Sequence, residues 1–445
     1  MAEFTFGPFT LHPADRLLRD GTELRLRPRA FRALEVLFQH RGRLVGYDQM
    51  MAEAWDSTFV SRHTIDVTIG ELKRSLGEYG AWVVRRPKLG YCLEVPTSEE
   101  LVRKGWHFWK RRTREGAERA IECFRQAASE CPSDFRAFEG LSTCQLMQAT
   151  FGMRPPREVY PQFLAAHERA VALGGLTPEL RCNRAHGLHL FEHKLDEAHA
   201  ELLRASEEKP TCATAHVRTA LLYGTLGRLD DALAMVERAY RADPLLPTLP
   251  ATDVLVRVWR RDFAGAIAAG PKALELHPYL QVARVSYAEA LEFAGRAEEA
   301  LAQYQRASVM FPDLPWLRAR EGACLARMGR IREACAILDE LEQIRRADYV
   351  DAYVMAVLHA ALGRWDTAFR ELARAVEENA APLYAIDVDP KMDEFRRDRR
   401  FDQLRRAWAG MGLASARLRP PERSARSPIG GTSPPPPAGP SLTVP

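Results

Sequence analysis

"TLGRLDDAL" spans Thr225–Leu233, and its spacing from similar stretches decides the architecture of most of the chain. A glycine followed by arginine closes one helical pattern, two aspartates open the next, and Ala232 is the small residue where two helices cross. Moving outward in steps of thirty-four residues finds Ala198, Ala266, Ala300, Ala334 and Ala368. Four residues on stand Leu202, Val236, Gly270, Tyr304, Leu338 and Leu372; seven on stand Ala205, Ala239, Ala273, Ala307, Leu341 and Ala375. Pro210, Pro244, Pro278 and Pro312 follow each alanine by twelve residues, and Gly227, Gly295, Gly329 and Gly363 precede it by five. Pairs of antiparallel helices require this pattern: small residues at the crossing, glycine at the turn, and a stop before the next pair.

A period of thirty-four residues is that of tetratricopeptide repeats. Ala120, Phe124, Ala127 and Pro132 make one further copy, and a degenerate copy around Phe163 and Ala170 fills the gap, with "ATFGMRPPREVYP" (149–161) as an insertion. The expectation is an all-α solenoid of about eight helix pairs over residues 97–413, wound by analogy with that family as a right-handed superhelix. "DVDPKMDEFRRDRRFDQLRRAW" (387–408) reads as a capping-helix region. Residues 414–445 are too rich in Pro, Ser and Gly to bury a core and read as a disordered tail.

The 445 residues carry a net charge of +4, so no global electrostatic pull toward nucleic acid or membrane exists and a basic site must be local. Eight cysteines without a CxxC pair fit small core residues in a reducing compartment. "MAEFTFGPFT" has no secretory character and no stretch approaches the length of a membrane helix, so a cytoplasmic protein without a membrane partner is expected. Nucleotide-loop, zinc-protease, serine-hydrolase and dinucleotide-fold motifs are missing. Paired acids such as Asp230 and Asp231 sit where acids favour a helix N-terminus. No enzyme activity and no cofactor are expected.

Residues 1–96 have a different texture, a small α+β unit. "FTFGPFTLHP", "RLLRD" and "TELRLRP" read as strands with a turn at Asp20 and Gly21. "PRAFRALEVLFQHRG", "YDQMMAEAW" and "TIDVTIGELKRSLG" (64–77) read as helices, and "AWVVRRPKLGYCLEV" as a hairpin turning at Pro87 to Gly90. In the third helix Ile65, Ile69, Leu72 and Leu76 share one face, and Ser61 is a good N-cap. The other flank presents His63, Thr64, Val67, Gly70 and Arg74, with Thr68 and Lys73 at its margins. Short polar groups, one exposed methyl-bearing residue and bases at the edges suit a helix in a major groove.

"LRPRAFRALEVLFQHRGRLV", "MMAEAW", "VSRHTIDVTIGELKRSLGE" and the Gly-Tyr at 90 and 91 make residues 4–95 resemble the winged-helix DNA-binding domain of OmpR/PhoB-type response regulators. The resemblance implies four strands, three helices of which the third reads DNA, and a terminal hairpin as the wing. It places His63, Thr64, Thr68 and Lys73 at DNA-touching positions and Trp55 against the DNA backbone. Arg62, Val67, Arg74 and the wing residues Arg85, Arg86, Lys88 and Tyr91 complete the candidate set. Two departures stand out: Gly70 and Glu71 where relatives carry arginines, and "RRPKLGY" in the wing, which resembles the CadC-like branch. Residues 62–88 hold six Lys or Arg against three Asp or Glu, so the wing can supply cations that the helix lacks.

Winged helices fused to tetratricopeptide arrays resemble CadC-like and HilA-like transcription regulators. With the unit beginning at residue 4, no receiver domain is expected ahead of it, and phosphorylation is not the expected switch. The expected function is a DNA-binding transcriptional regulator with double-stranded DNA as partner, controlled by a protein or small molecule on the array. The alternative is an interaction scaffold whose winged helix no longer reads sequence, and a homodimer on DNA is left open. By the tetratricopeptide resemblance, first-helix positions line the inner groove, here Arg218, Trp259, Glu289, Phe293, Trp316, Arg320, Arg327 and Tyr353. Cys182, His186, His189 and His193 share a helix face, but their register points to packing against a partner helix, so no metal is expected.

Overall fold

The computed structural model describes residues 4–6, 9–12, 16–19, 21–56 and 58–408; the tail read at 414–445 and Asp20 of the expected turn lie outside them. Four short strands open the chain as an antiparallel meander: β1 (Phe4–Phe6), β2 (Phe9–His12), β3 (Arg16–Arg19) and β4 (Thr22–Leu24). Then come α1 (Pro28–Gln39), β5 (Leu44–Gly46), α2 (Tyr47–Ala54) and α3 (Arg62–Ser75). A 3-10 turn at Gly77–Trp82 leads into β6 (Val83–Arg86) and β7 (Gly90–Leu93), and the second sheet has the order β5-β7-β6. Leu34, Leu37, Val45, Ile65, Ile69, Leu72 and Leu93 are buried together, so the aliphatic seam of α3 clamps it to α1 and the sheet. Gly90, at φ +144°, has no alternative: a Cβ there would lie 2.0 Å from the Val45 carbonyl oxygen, and β5 could not pair with β7.

Among the described residues the solenoid has eight helix pairs. They are α4 (Ser98–Trp109) with α5 (Arg114–Glu130), α6 (Phe135–Thr150) with α7 (Pro156–Gly174), α8 (Pro178–Leu190) with α9 (Leu195–Glu208), and α10 (Ala213–Thr225) with α11 (Leu229–Ala242). After them come α12 (Leu249–Trp259) with α13 (Phe263–Leu276), α14 (Gln281–Phe293) with α15 (Ala297–Met310), α16 (Pro315–Arg327) with α17 (Ile331–Ala347), and α18 (Ala352–Ala361) with α19 (Trp365–Glu378). The six periodic alanines from Ala198 to Ala368 are all 0% exposed, as close helix crossing requires. Gly227, Gly295, Gly329 and Gly363 take φ between +72° and +82° at the inter-helix turns. At the equivalent turns without glycine, His193 and Arg261 are forced to φ +55° and +63°, at a cost of order 1 kcal/mol each. The stretch read as an insertion is mostly helix: Pro156 opens α7, and only residues 151–155 form the loop.

The superhelix turns back on itself. The Arg114 backbone N–H at the start of α5 donates to Asp313 Oδ2 at 2.8 Å, and its guanidinium pairs with Asp348 beyond α17. Past α19 the chain does not extend the stack. Residues 381–397 form three short 3-10 turns along the concave side, where Ala385 and Tyr384 pack against Val217, Ala220 and Trp259. Only Arg399–Trp408 (α20) is α-helical, so the capping-helix reading of 387–408 is corrected: Pro390 removes a donor, and Asp389 caps a tight turn by accepting from the Lys391 N–H. No helix among the described residues is long and apolar enough to cross a membrane.

Phe124 tests how tightly the first pairs are packed. A Cβ on Gly140 would meet its ring at 2.3 Å and one on Gly105 at 2.7 Å, so the ring fits only because both positions lack a side chain. Gly140→Ala is expected to destabilise the solenoid by about 1–3 kcal/mol, despite alanine's better helix propensity. Urea unfolding of both proteins measures this, and a variant as stable as the parent contradicts the packing described.

Candidate nucleic-acid interface

Helix α3 starts with a good cap: the Ser61 side chain accepts from the Thr64 N–H at 3.1 Å. Its outward flank is uncovered by the solenoid. His63, Thr64, Val67 and Arg74 are exposed, with Val67 at 46%, and a Cβ built on Gly70 meets nothing within 4 Å. Thr68 and Lys73 are half-buried at the edges, and Thr68 spends its hydroxyl proton on the Thr64 carbonyl at 3.0 Å. Arg62 lies over the Tyr47 ring at 5.1 Å. The winged helix sits on the solenoid by its opposite side: β1 lies against α5, Tyr79 donates to Glu122, and Arg41 pairs with Glu130 at 2.6 Å.

Asp66 holds helix and wing together. Its carboxylate accepts from Tyr47 at 2.8 Å, Tyr91 at 2.6 Å and Arg85 at 2.5 Å, which links α2, α3, β6 and β7. Burial pushes the Asp66 pKa up, but the tyrosine hydroxyls and Arg85, with His63 adding charge, outweigh it and hold the carboxyl below its ordinary value. Arg86 pairs with Glu94 at 2.6 Å. Lys88, at φ +64°, stands exposed at the hairpin tip beside Leu89, which is 60% exposed. Two sequence expectations are corrected here. Trp55 is 4% exposed with its ring in the domain core, and Tyr91 is 4% exposed with its hydroxyl given to Asp66, so neither side chain presents a surface to DNA.

Sequence reading passed over three features. Asp66 lies one position off the apolar seam, and an acid on a helix expected to meet phosphate was a usable signal. Leu89 at the wing tip carried none. Glu71, which stands where relatives carry an arginine, pairs with Arg27 at 2.9 Å, and Arg25, Arg27 and Arg74 border a shallow cavity beside it.

Within the solenoid the expected groove residues divide. Trp259, Glu289, Trp316 and Arg320 border one interior cavity. Arg218 donates to Asn183 at 3.0 Å, and Arg327 pairs with Glu292. Phe293, at the end of α14, stacks on Phe263 of α13 at 5.9 Å and so packs against the preceding helix pair. Tyr353 is 0% exposed and donates to Asp389 at 3.1 Å, so the chain's own segment covers it. His186, His189 and His193 bond separately to Thr150, Thr225 and Asn379, while Cys182 faces Cys212 at 3.9 Å.

With this geometry in place, comparisons with known proteins fix the kind of domain. Residues 21–93 match the family described as "Transcriptional regulatory protein, C terminal". The N-terminal unit is an OmpR/PhoB-type regulatory domain. The transcriptional activator CadC of Escherichia coli is 30% identical over 86 residues, 18% of this chain and 17% of its own. The regulatory protein CutR of Streptomyces coelicolor is 38% identical over 76 residues, 17% of this chain and 35% of its own. The chain thus spans only 17% and 35% of these relatives' length. The solved structure of a monomeric IFIT1 mutant with Gppp-AAAA is similar at TM-score 0.51, with 15% identity, over 85% of this chain and 86% of that one. That likeness concerns the fold of the tetratricopeptide-type solenoid.

The depressed Asp66 pKa sets a pH dependence. A carboxyl lowered in the folded state stabilises it above the ordinary value of 3.8 and loses that contribution as pH falls through the folded value. Asp66→Asn is expected to loosen residues 62–93 by about 1–3 kcal/mol at neutral pH, with the gap to the parent closing below about pH 4. Amide hydrogen exchange across that segment at both pH values is the measurement, and equal exchange at neutral pH contradicts the role given to Asp66.

Proposed function

We propose that the chain is a bacterial transcriptional regulator acting in the cytoplasm. Helix α3 enters the major groove, the hairpin tip lies on the backbone or minor groove, and the solenoid receives a protein or small-molecule signal. The observation that carries this reading is the uncovered flank of α3, continuous with an exposed wing, on a domain that turns its other side to the solenoid. Thr64, Val67 and His63 read base edges, and Val67 suits a thymine methyl. Lys73, Arg74 and Lys88 face phosphates, joined by Arg25 and Arg27. Arg85 and Arg86 are committed to Asp66 and Glu94, so they shape the wing more than they neutralise DNA. The same pairing supports the alternative of a scaffold that no longer reads sequence, because fewer cations remain for phosphate.

A mobility-shift titration against selected genomic fragments separates the two. A regulator prefers one fragment over bulk DNA by a factor of roughly a thousand or more. Lys88→Ala and Lys73→Ala are each expected to weaken binding to all fragments and to flatten the log-affinity against log-salt slope by roughly 0.9. Thr64→Ala and Val67→Ala are expected to cost about 1–3 kcal/mol on the preferred fragment and little on bulk DNA. Binding without preference, untouched by any of these changes, supports the scaffold instead.

A further inference from the structure

The solenoid interior holds a cavity of about 190 Å³, walled by Trp259, Trp316 and Arg320 on the repeats, by Asp351 at the start of α18, and by Tyr384 and Lys391 of the returning segment. Its polar groups are unequally served. Trp316 Nε1 and Arg320 Nε and Nη1 are shut off from solvent and, among the described residues, have no hydrogen-bond acceptor. Trp316 and Arg320 lie one turn apart on one face of α16, and Arg320 is nine-tenths buried, at 9% exposure. The nearby acids reach Arg320 only as a long ion pair and at a distance, without a hydrogen bond. Lys391 takes both, reaching Glu289 at 2.8 Å and Asp389 at 2.9 Å, while Glu289 stays 3.7 Å from Arg320 Nε. A buried donor left unmet costs about 1–3 kcal/mol, and a charged one more, so this wall calls for an acceptor with charge.

The opposite side calls for the reverse. Asp351 is buried; its Oδ1 accepts from the Tyr353 N–H at 2.8 Å, and its Oδ2 stands 3.4 Å from where a Cβ on Gly152 would be, a residue that also borders the cavity. Burial lifts its pKa to about 6 against the more distant pull of Arg320 and Arg345, so at neutral pH it is charged, and among the described residues no cation forms an ion pair with it. Three acids, Glu289, Asp351 and Asp389, share the cavity with two bases, Arg320 and Lys391. A simple anion set against Arg320 would deepen that imbalance. A molecule carrying both signs leaves it unchanged and partners each unmet group.

We propose that this cavity binds a small zwitterion of the α-amino-acid class, with its carboxylate on Arg320 and Trp316 and its ammonium on Asp351. The volume lies below the roughly 300 Å³ at which drug-sized sites begin, and Trp259 and Tyr384, ring centroids 5.9 Å apart, offer an apolar wall for a side chain. Because Tyr384 and Lys391 belong to the segment folded across the groove, an occupied site ties that segment down. The proposal rests on the reading of the solenoid as the receiver of a signal.

The test is calorimetric titration of the full chain, without DNA, against each proteinogenic L-amino acid, and then against the best binder's amine and its deaminated acid. One amino acid or a narrow group is expected to bind saturably, and removal of either charged group to weaken binding at least about tenfold. Trp316→Phe keeps the ring and is expected to weaken binding about tenfold, one charge-assisted hydrogen bond's worth; Arg320→Met is expected to weaken it further. Bound amino acid should also protect residues 381–397 from proteolysis. No saturable binding by any amino acid, a deaminated acid binding equally well, or Trp316→Phe and Arg320→Met both binding like the parent would overturn the proposal. Since no DNA is present, its failure leaves the DNA-binding reading standing, and failure of the mobility shift leaves this one standing.

Discussion

A single carboxylate governs the geometry of the N-terminal domain. Asp66 gathers two tyrosine hydroxyls and one guanidinium from three other elements, so the angle between α3 and the β6–β7 hairpin is set by hydrogen bonds, while the aliphatic seam sets only the depth of α3 in the domain. A carboxylate with three donors is strong because each bond is charge-assisted and the tyrosines are shielded from water. The arrangement also explains why bases within the hairpin are unequal. Arg85 is part of the frame, Arg86 is tied to Glu94, and Lys88 at the tip is lifted into solvent by a left-handed backbone.

Much of this was legible in the sequence, for physical reasons that also mark the limits. A thirty-four-residue period survives because helix crossings tolerate only small residues, and every crossing imposes the same constraint on Ala198 through Ala368. The seam of α3 shows for the same reason, since burial on one face enforces helical spacing. Strand β5 was missed because Leu44–Gly46 is three residues long and carries no alternation; its pairing depends on Gly90, which lies opposite Gly46 and forty-four residues from it in sequence. Trp55 and Tyr91 were misplaced because a residue type enriched at interfaces is equally at home in a core, and only neighbours decide which. Phe293 differs likewise, since this first-helix position near the turn packs against the second helix of the preceding pair and not into the groove.

The return of residues 381–397 was the least legible feature. Periodicity describes how each pair contacts its neighbours, and it is silent on what a closed superhelix encloses. Once Arg114 meets Asp313 and Asp348, the concave side becomes an interior, and an interior must be filled or its polar groups left unsatisfied. The segment fills part of it with Tyr384, Ala385, Asp389 and Lys391, which turns groove positions such as Tyr353 into core. A peptide partner entering the same side would have to displace that segment together with the Lys391 bridge between Glu289 and Asp389, a pair of ion contacts that is 5–8% exposed and loses most if broken singly.

Helix α5 joins the two halves of the molecule mechanically. Its first residue, Arg114, makes the contact that closes the superhelix, and its last, Glu130, pairs with Arg41 of the winged helix, with Glu122 and β1 in between. Helices are stiff over seventeen residues, so a displacement at one end of α5 is felt at the other. The winged helix is therefore seated on the helix whose other end makes the contact that closes the superhelix.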